Sequence, residues 1–195
     1  MRVTAKVLQF VAFGVLVAVA LFGGLFAAGN AWADMPRGVV VAGIVLWVVV
    51  AGGLSWLAFA SPGTAVPVLA GVVALMTVLT AVDGRLDLFD RDRNGPVAVV
   101  ALLSLLVPLA VLGLRRALAA GALLLVPAAG QMVATVLMWT TRAGEAPPLM
   151  AMFRGSSGIV ILPMVLAGVL LLVVGLMLHE QTRFWHLSSG ARVAH

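Results

Sequence analysis

The chain has 195 residues, enough for one domain, but 63% of them are hydrophobic and 10% are charged, and the mean hydropathy is +1.19. A soluble fold of this size has too few charged side chains to cover so much apolar surface, so a water-soluble domain is excluded and a bilayer is the expected solvent. The net charge of +5 comes with no basic run interleaved with aromatics, which argues against nucleic acid and for anionic lipid headgroups.

The sequence contains no cysteine, which removes disulfides, iron–sulfur clusters, thiolate zinc sites and thiol redox chemistry. Arg far outnumbers Lys, and Ala, Val, Gly and Leu dominate while Ile is scarce. That bias is typical of high-GC bacterial genomes, so the expected location is a bacterial plasma membrane.

A spanning helix needs about 20 apolar residues, at 1.5 Å each, to cross roughly 30 Å of hydrocarbon. The first such stretch covers about 7–29 and is followed by a polar break from Asn30 to Arg37. The second covers about 39–60 and stops at the turn signal Ser61-Pro62-Gly63-Thr64. The third covers about 65–82, and the most charged segment, Asp83 to Gly95, comes next. From Pro96 to Thr141 the chain is apolar except for Arg115-Arg116. One helix of that length would be about 69 Å long, so the chain folds back with the Arg pair at the tip. This gives a fourth span over about 96–114 and a fifth over about 117–140. The sixth covers about 157–178, and a polar tail follows over 179–195.

Backbone polar groups in hydrocarbon must be satisfied within the segment, so each stretch reads as a helix. Alternating segments of about ten residues, the mark of a membrane barrel, do not occur. The expected fold is therefore an all-α, polytopic membrane bundle of about six transmembrane helices. Pro67, Pro108, Pro127 and Pro163 fall inside or near the starts of spans, where each removes a helix donor and invites a kink.

Six spans place both termini on one side. That side carries Arg2, Lys6, Arg115, Arg116, Arg183 and Arg192, and the other carries Arg37, Arg85, Arg91, Arg93, Arg142 and Arg154. The tie leaves the positive-inside rule undecided. The basic residues before the first span and the Arg pair in the tightest hairpin favour cytoplasmic termini. Ala31-Trp32-Ala33 resembles a signal-peptidase site, but the preceding apolar stretch of about 23 residues is longer than a signal peptide's. Retention of residues 1–33 is the expectation.

Asp90-Arg91-Asp92-Arg93-Asn94-Gly95 fits the first half of a calcium loop, with Asp90, Asp92 and Asn94 as candidate metal ligands. The twelfth position is Ala101, where a bidentate Glu is needed, and a solvated linker is the competing reading. Calcium is the one cofactor this pattern admits. Gly155-Ser156-Ser157-Gly158 matches the G-x-S-G motif of the rhomboid intramembrane proteases. The nearest histidine, His179, lies 22 residues on in the same helix, about 33 Å away, so no catalytic pair forms. In His179-Glu180-Gln181-Thr182-Arg183 an arginine stands where a zinc protease needs its second ligand. His179 and His186 share a helix face, yet two imidazoles do not make a structural metal site. Met150 and Met152 could offer soft ligands to Cu(I), but they lack Cys or His beside them and read as an apolar interfacial loop.

No ionisable residue lies in the core of any span, which argues against ion-coupled transport and proton relays. Gln131, with Thr135 one turn away, is the strongly polar side chain near mid-depth and reads as cavity lining or interhelical packing. Ala20, Gly24 and Ala28 form a small-residue stripe at spacing four, a helix-contact face for this bundle or for a membrane partner. A faint likeness between 67–72 and 163–169 hints at an inverted repeat. In so restricted an alphabet, such likeness arises readily by chance. The functional expectation is a membrane protein without a catalytic site. It reads as an accessory or structural subunit that packs with a membrane partner or a second copy. The alternative is a small permease for a neutral or lipophilic solute, its cavity lined by Gln131, Thr135, Ser104 and Thr77.

Overall fold

The computed structural model describes residues 2–31, 36–86, 91–143 and 155–190, with side chains described for 3–26, 36–38, 40–82, 100–137, 139–140, 158 and 161–178. Six helices and no strand occur among the described residues: α1 (Arg2–Ala31), α2 (Arg37–Ala60), α3 (Pro62–Leu86), α4 (Arg91–Arg115), α5 (Ala117–Ala143) and α6 (Gly155–Gly190). Five of them contain stretches long and apolar enough to cross a membrane, namely Val3–Phe26, Val40–Ala60, Pro62–Val82, Ala117–Leu137 and Ile161–Leu178. In α4 the apolar stretch among the described residues is Val100–Arg115, and the sequence is apolar from Pro96 onward. Helix α6 continues past the last apolar stretch to Gly190, so at 1.5 Å per residue it is about 54 Å long and overshoots the hydrocarbon.

Two reversals are as tight as a chain allows. Between α2 and α3 only Ser61 is non-helical, at φ −137° and ψ 71°. Pro62 opens α3, a position where its missing N–H costs nothing and its fixed φ already suits a helix. The Ser61 carbonyl accepts from the Ala65 N–H at 2.9 Å and from the Thr64 hydroxyl at 3.0 Å. Between α4 and α5 only Arg116 is non-helical. Its N–H donates to the Leu112 carbonyl at 2.7 Å, and its own carbonyl accepts from Ala120 at 3.0 Å. At each hinge a single residue thus closes the preceding helix with its N–H and opens the following one with its carbonyl.

Helix α4 occupies the middle. It packs against every other helix, most extensively against α1 and then α2. Around it run α1, α6, α5, α3 and α2, each in contact with the next. This ring does not close, because α1 and α2, although consecutive in sequence, make no comparable contact with each other. The buried core is aliphatic: Leu102, Leu103, Leu106, Leu109 and Leu112 of α4 mesh with Leu16, Leu69, Leu124, Met164 and Leu171. Outward faces are equally apolar. Phe10, Phe22 and Phe26 of α1 and Val41, Leu46 and Val49 of α2 are all exposed. Surface of that kind is not stable against water and suits a bilayer.

Helices α5 and α6 approach to backbone contact, and glycine makes it possible. A Cβ at Gly121 would stand 2.7 Å from the Gly168 carbonyl oxygen and 2.8 Å from the Leu172 nitrogen. A Cβ at Gly175 would stand 2.7 Å from the Leu118 Cβ and 2.8 Å from the Leu118 backbone. Backbone-to-backbone contact of this kind is how small residues gain dispersion energy inside a bilayer, where no hydrophobic force drives helices together. Between α3 and α5, the Thr77 methyl fills the space that a side chain at Gly130 would need.

Candidate functional site

The end of the bundle that holds the two tight hinges gathers three of the four charged side chains described, Lys6, Arg115 and Arg116. Arg115 closes α4, and its guanidinium carbon lies 4.4 Å from the ring centroid of Phe59, near the end of α2. Arg116 forms the next hinge, and a Cβ at Gly63 in the opening turn of α3 would stand 3.9 Å from its Nη2. Helix α1 starts at the same end. The Gln9 amide Nε2 donates to the Gly113 carbonyl at 2.6 Å, which places Lys6, three residues earlier, on the same level. Lys6, Arg115 and Arg116 are all exposed, as are Phe59 and Trp56 beside them. Helix α6 passes this level, since a Cβ at Gly175 would meet Leu118 in the first turn of α5, and continues to Gly190.

The Gln9 bond has a clear local cause. The last carbonyls of a helix lack intrahelical donors, and the Gly113 carbonyl lies within the final turn of α4. Its neighbour, the Leu112 carbonyl, is served by the Arg116 N–H. The Gly113 carbonyl is served from another helix, by Gln9. Gln9 is the lone amide side chain in the apolar stretch Val3–Phe26 of α1, and that isolation was the available signal for it.

The polar residues near mid-depth bond locally. The Thr135 hydroxyl donates to the Gln131 carbonyl at 2.8 Å, the Thr77 hydroxyl to the Val73 carbonyl at 2.7 Å, and the Ser104 hydroxyl to the Ala101 carbonyl. All three point back along their own helices, a common way for a hydroxyl to be satisfied in an apolar medium. Gln131 is half-buried, and Thr135 is the single buried polar side chain among the described residues. Thr77 packs its methyl on the α5 backbone at Gly130.

Along the stripe on α1, Ala20 is fully buried, whereas a Cβ at Gly24 would meet open space. The neighbouring Gly23 makes the close approach, with a Cβ there 3.2 Å from Leu103. The Ala28 side chain lies outside the described residues. So does Asp90, while Asp92 and Asn94 fall in the helical backbone that begins α4, their side chains also undescribed. Met150 and Met152, and the side chains of Ser157, His179 and His186, likewise lie outside them.

Trp47 carries no sequence signal that sets it apart from the other tryptophans. Among the described residues its Nε1 is the one buried side-chain nitrogen or oxygen that lacks a hydrogen-bond partner. An indole donor left unpaired away from water costs about 1–3 kcal/mol.

Taken together, the fold and its apolar exterior define a multi-pass helical membrane protein. The chain matches no protein-family model, and no curated protein or solved structure is significantly similar to it.

Proposed function

We propose that the protein is a non-catalytic membrane component, an accessory or structural subunit that packs laterally with a partner in a bacterial plasma membrane. The observation that carries this reading is the asymmetry of the bundle. The interior is filled with leucine and alanine, while α2 rests mainly on α4 and, more lightly, on α3. The rest of α2 is a broad apolar face of Val41, Val45, Val48 and Val49. β-Branched valine loses little entropy on packing because its χ1 is already restricted in a helix, so such a face suits a second helix as well as lipid. The permease reading needs polar groups that face a path. The hydroxyls of Ser104, Thr77 and Thr135 are instead engaged with their own helices, which favours the structural reading.

Placing a photo-crosslinking residue at Val49, which points away from the bundle, tests this in intact membranes. The expected result is a discrete adduct with one membrane protein or with a second copy. Adducts with lipid alone, together with a lone monomer in mild detergent, would overturn the proposal.

A further inference from the structure

We propose that the cleft between α1 and α2 holds one acyl chain of an anionic phospholipid, whose phosphate is bound at the hinge end by Arg115 with support from Arg116 and Lys6. Among the described residues the ring of helices around α4 is open between α1 and α2, and the surface of α4 records that opening. Val100, Ser104, Val107, Val111 and Leu114 are half-buried, whereas Leu102, Leu103, Leu105, Leu106, Leu109, Ala110 and Leu112 are buried. Ala101 is half-buried as well, but the other five are spaced four, three, four and three apart, which is one continuous stripe along a helix.

The bearing of this stripe follows from its neighbours. Leu103 faces α1, because a Cβ at Gly23 would touch it, and Arg115 faces α2, because it lies over Phe59. At 3.6 residues per turn these two directions differ by about 120°, and every member of the stripe falls inside that sector. The stripe is therefore the floor of the cleft. Phe59 and Gly52 lie on the adjoining flank of α2, seven residues apart, and a Cβ at Gly52 would meet nothing within 4 Å. From Val100 to Leu114 the floor is about 21 Å long at 1.5 Å per residue, more than half of the roughly 30 Å hydrocarbon core. That is room for a single acyl chain reaching in from one leaflet.

Charge selects the headgroup. The apolar floor ends at Leu114, and the next residue is Arg115, held over Phe59 with its guanidinium exposed. Arg116 and Lys6 stand at the same end. The first N–H groups of α5 have no intrahelical acceptors and open there with the positive end of the helix dipole. Of the four charged residues whose side chains are described, Lys6, Arg115 and Arg116 stand at this end and Arg37 at the other. A phosphodiester with a chain attached matches both parts of this surface, and a zwitterionic lipid matches the charged part less well.

The test is native mass spectrometry of the full chain released from nanodiscs made of equal phosphatidylglycerol and phosphatidylcholine. The protein is expected to retain one phosphatidylglycerol in preference to phosphatidylcholine, and the preference is expected to fall as salt is raised. Arg115→Gln is expected to weaken retention about fivefold, the effect of one cation at a membrane surface. Val107→Trp fills the floor without touching the charges and is expected to abolish retention of the lipid. Thermal melting of both variants checks that each is folded, and the salt series needs no variant. Equal retention of the two lipids, or retention unchanged in both variants, would overturn the proposal. Displacement by free glycerol phosphate as effective as by lipid would overturn the acyl-chain part, and a dimer lost on Val107→Trp would assign the cleft to a second copy instead.

Discussion

Gln9 and Gly113, 104 residues apart in sequence, are joined by a hydrogen bond of 2.6 Å that ties the start of α1 to the end of α4. The amide serves a carbonyl that its own helix leaves without a donor, in a part-buried position where water is a poor substitute. Gln9→Leu removes the donor but keeps the bulk, and it is expected to cost about 1–2 kcal/mol. Gln9→Glu puts an ionised acceptor against the carbonyl at neutral pH and is expected to cost more than Gln9→Leu. Thermal melting of the two variants in one detergent checks the order, and equal melting points would show that the bond contributes nothing.

The glycines divide into two groups that hydropathy does not separate. Gly121→Ala and Gly175→Ala drive a methyl into the backbone of the facing helix, where nothing can rotate away. Each is expected to destabilise by about 1–3 kcal/mol through overpacking. A Cβ at Gly71 meets nothing within 4 Å, so Gly71→Ala is expected to be neutral or to stabilise by about 0.5–1 kcal/mol through helix propensity. A melt in which all three behave alike would refute the α5–α6 seam.

Helix α4 should be the most sensitive to truncation. Leu106 is completely buried, and Leu106→Ala is expected to cost about 2–5 kcal/mol for the lost contacts and the cavity. Val49 on α2 is 64% exposed, and Val49→Ala is expected to change stability by less than about 0.5 kcal/mol. If unfolding in detergent showed the reverse order, α4 would not be the central helix.

Trp47 offers a prediction of opposite sign to the usual large-to-small change. Its unpartnered Nε1 is a cost that Phe does not carry, while most of the aromatic contact is retained. Trp47→Phe is expected to cost less than about 1 kcal/mol or to stabilise, in contrast to the 3–5 kcal/mol typical when a buried aromatic is lost to Ala. A large loss on Trp47→Phe would mean that the indole nitrogen has an acceptor after all.

The sequence by itself determined the solvent and the elements. Long uncharged stretches at the length of the hydrocarbon core admit only helices, and charged or turn-forming residues such as Arg115-Arg116 and Ser61-Pro62 stand where the chain reverses. It did not reveal which helix lies inside. Val97 to Leu114 of α4 and Val39 to Ala60 of α2 are equally apolar on all sides, yet one is enclosed and the other peripheral. In water, burial leaves a polarity pattern because the outside is polar. In a bilayer the outside is as apolar as the core, so the amphipathic stripe that would orient a helix is missing.

What replaces that stripe is shape, and shape is decided between helices rather than along one. Gly23 rather than Gly24 meets α4 because of how α1 is turned about its axis, and one residue of spacing rotates a side chain by about 100°. Gly121 and Gly175 matter because their partners, Gly168, Leu172 and Leu118, come from a different helix. The same holds for the bond from Gln9 and for the open sector of α4. Each depends on distances across the bundle, which only the tertiary structure sets.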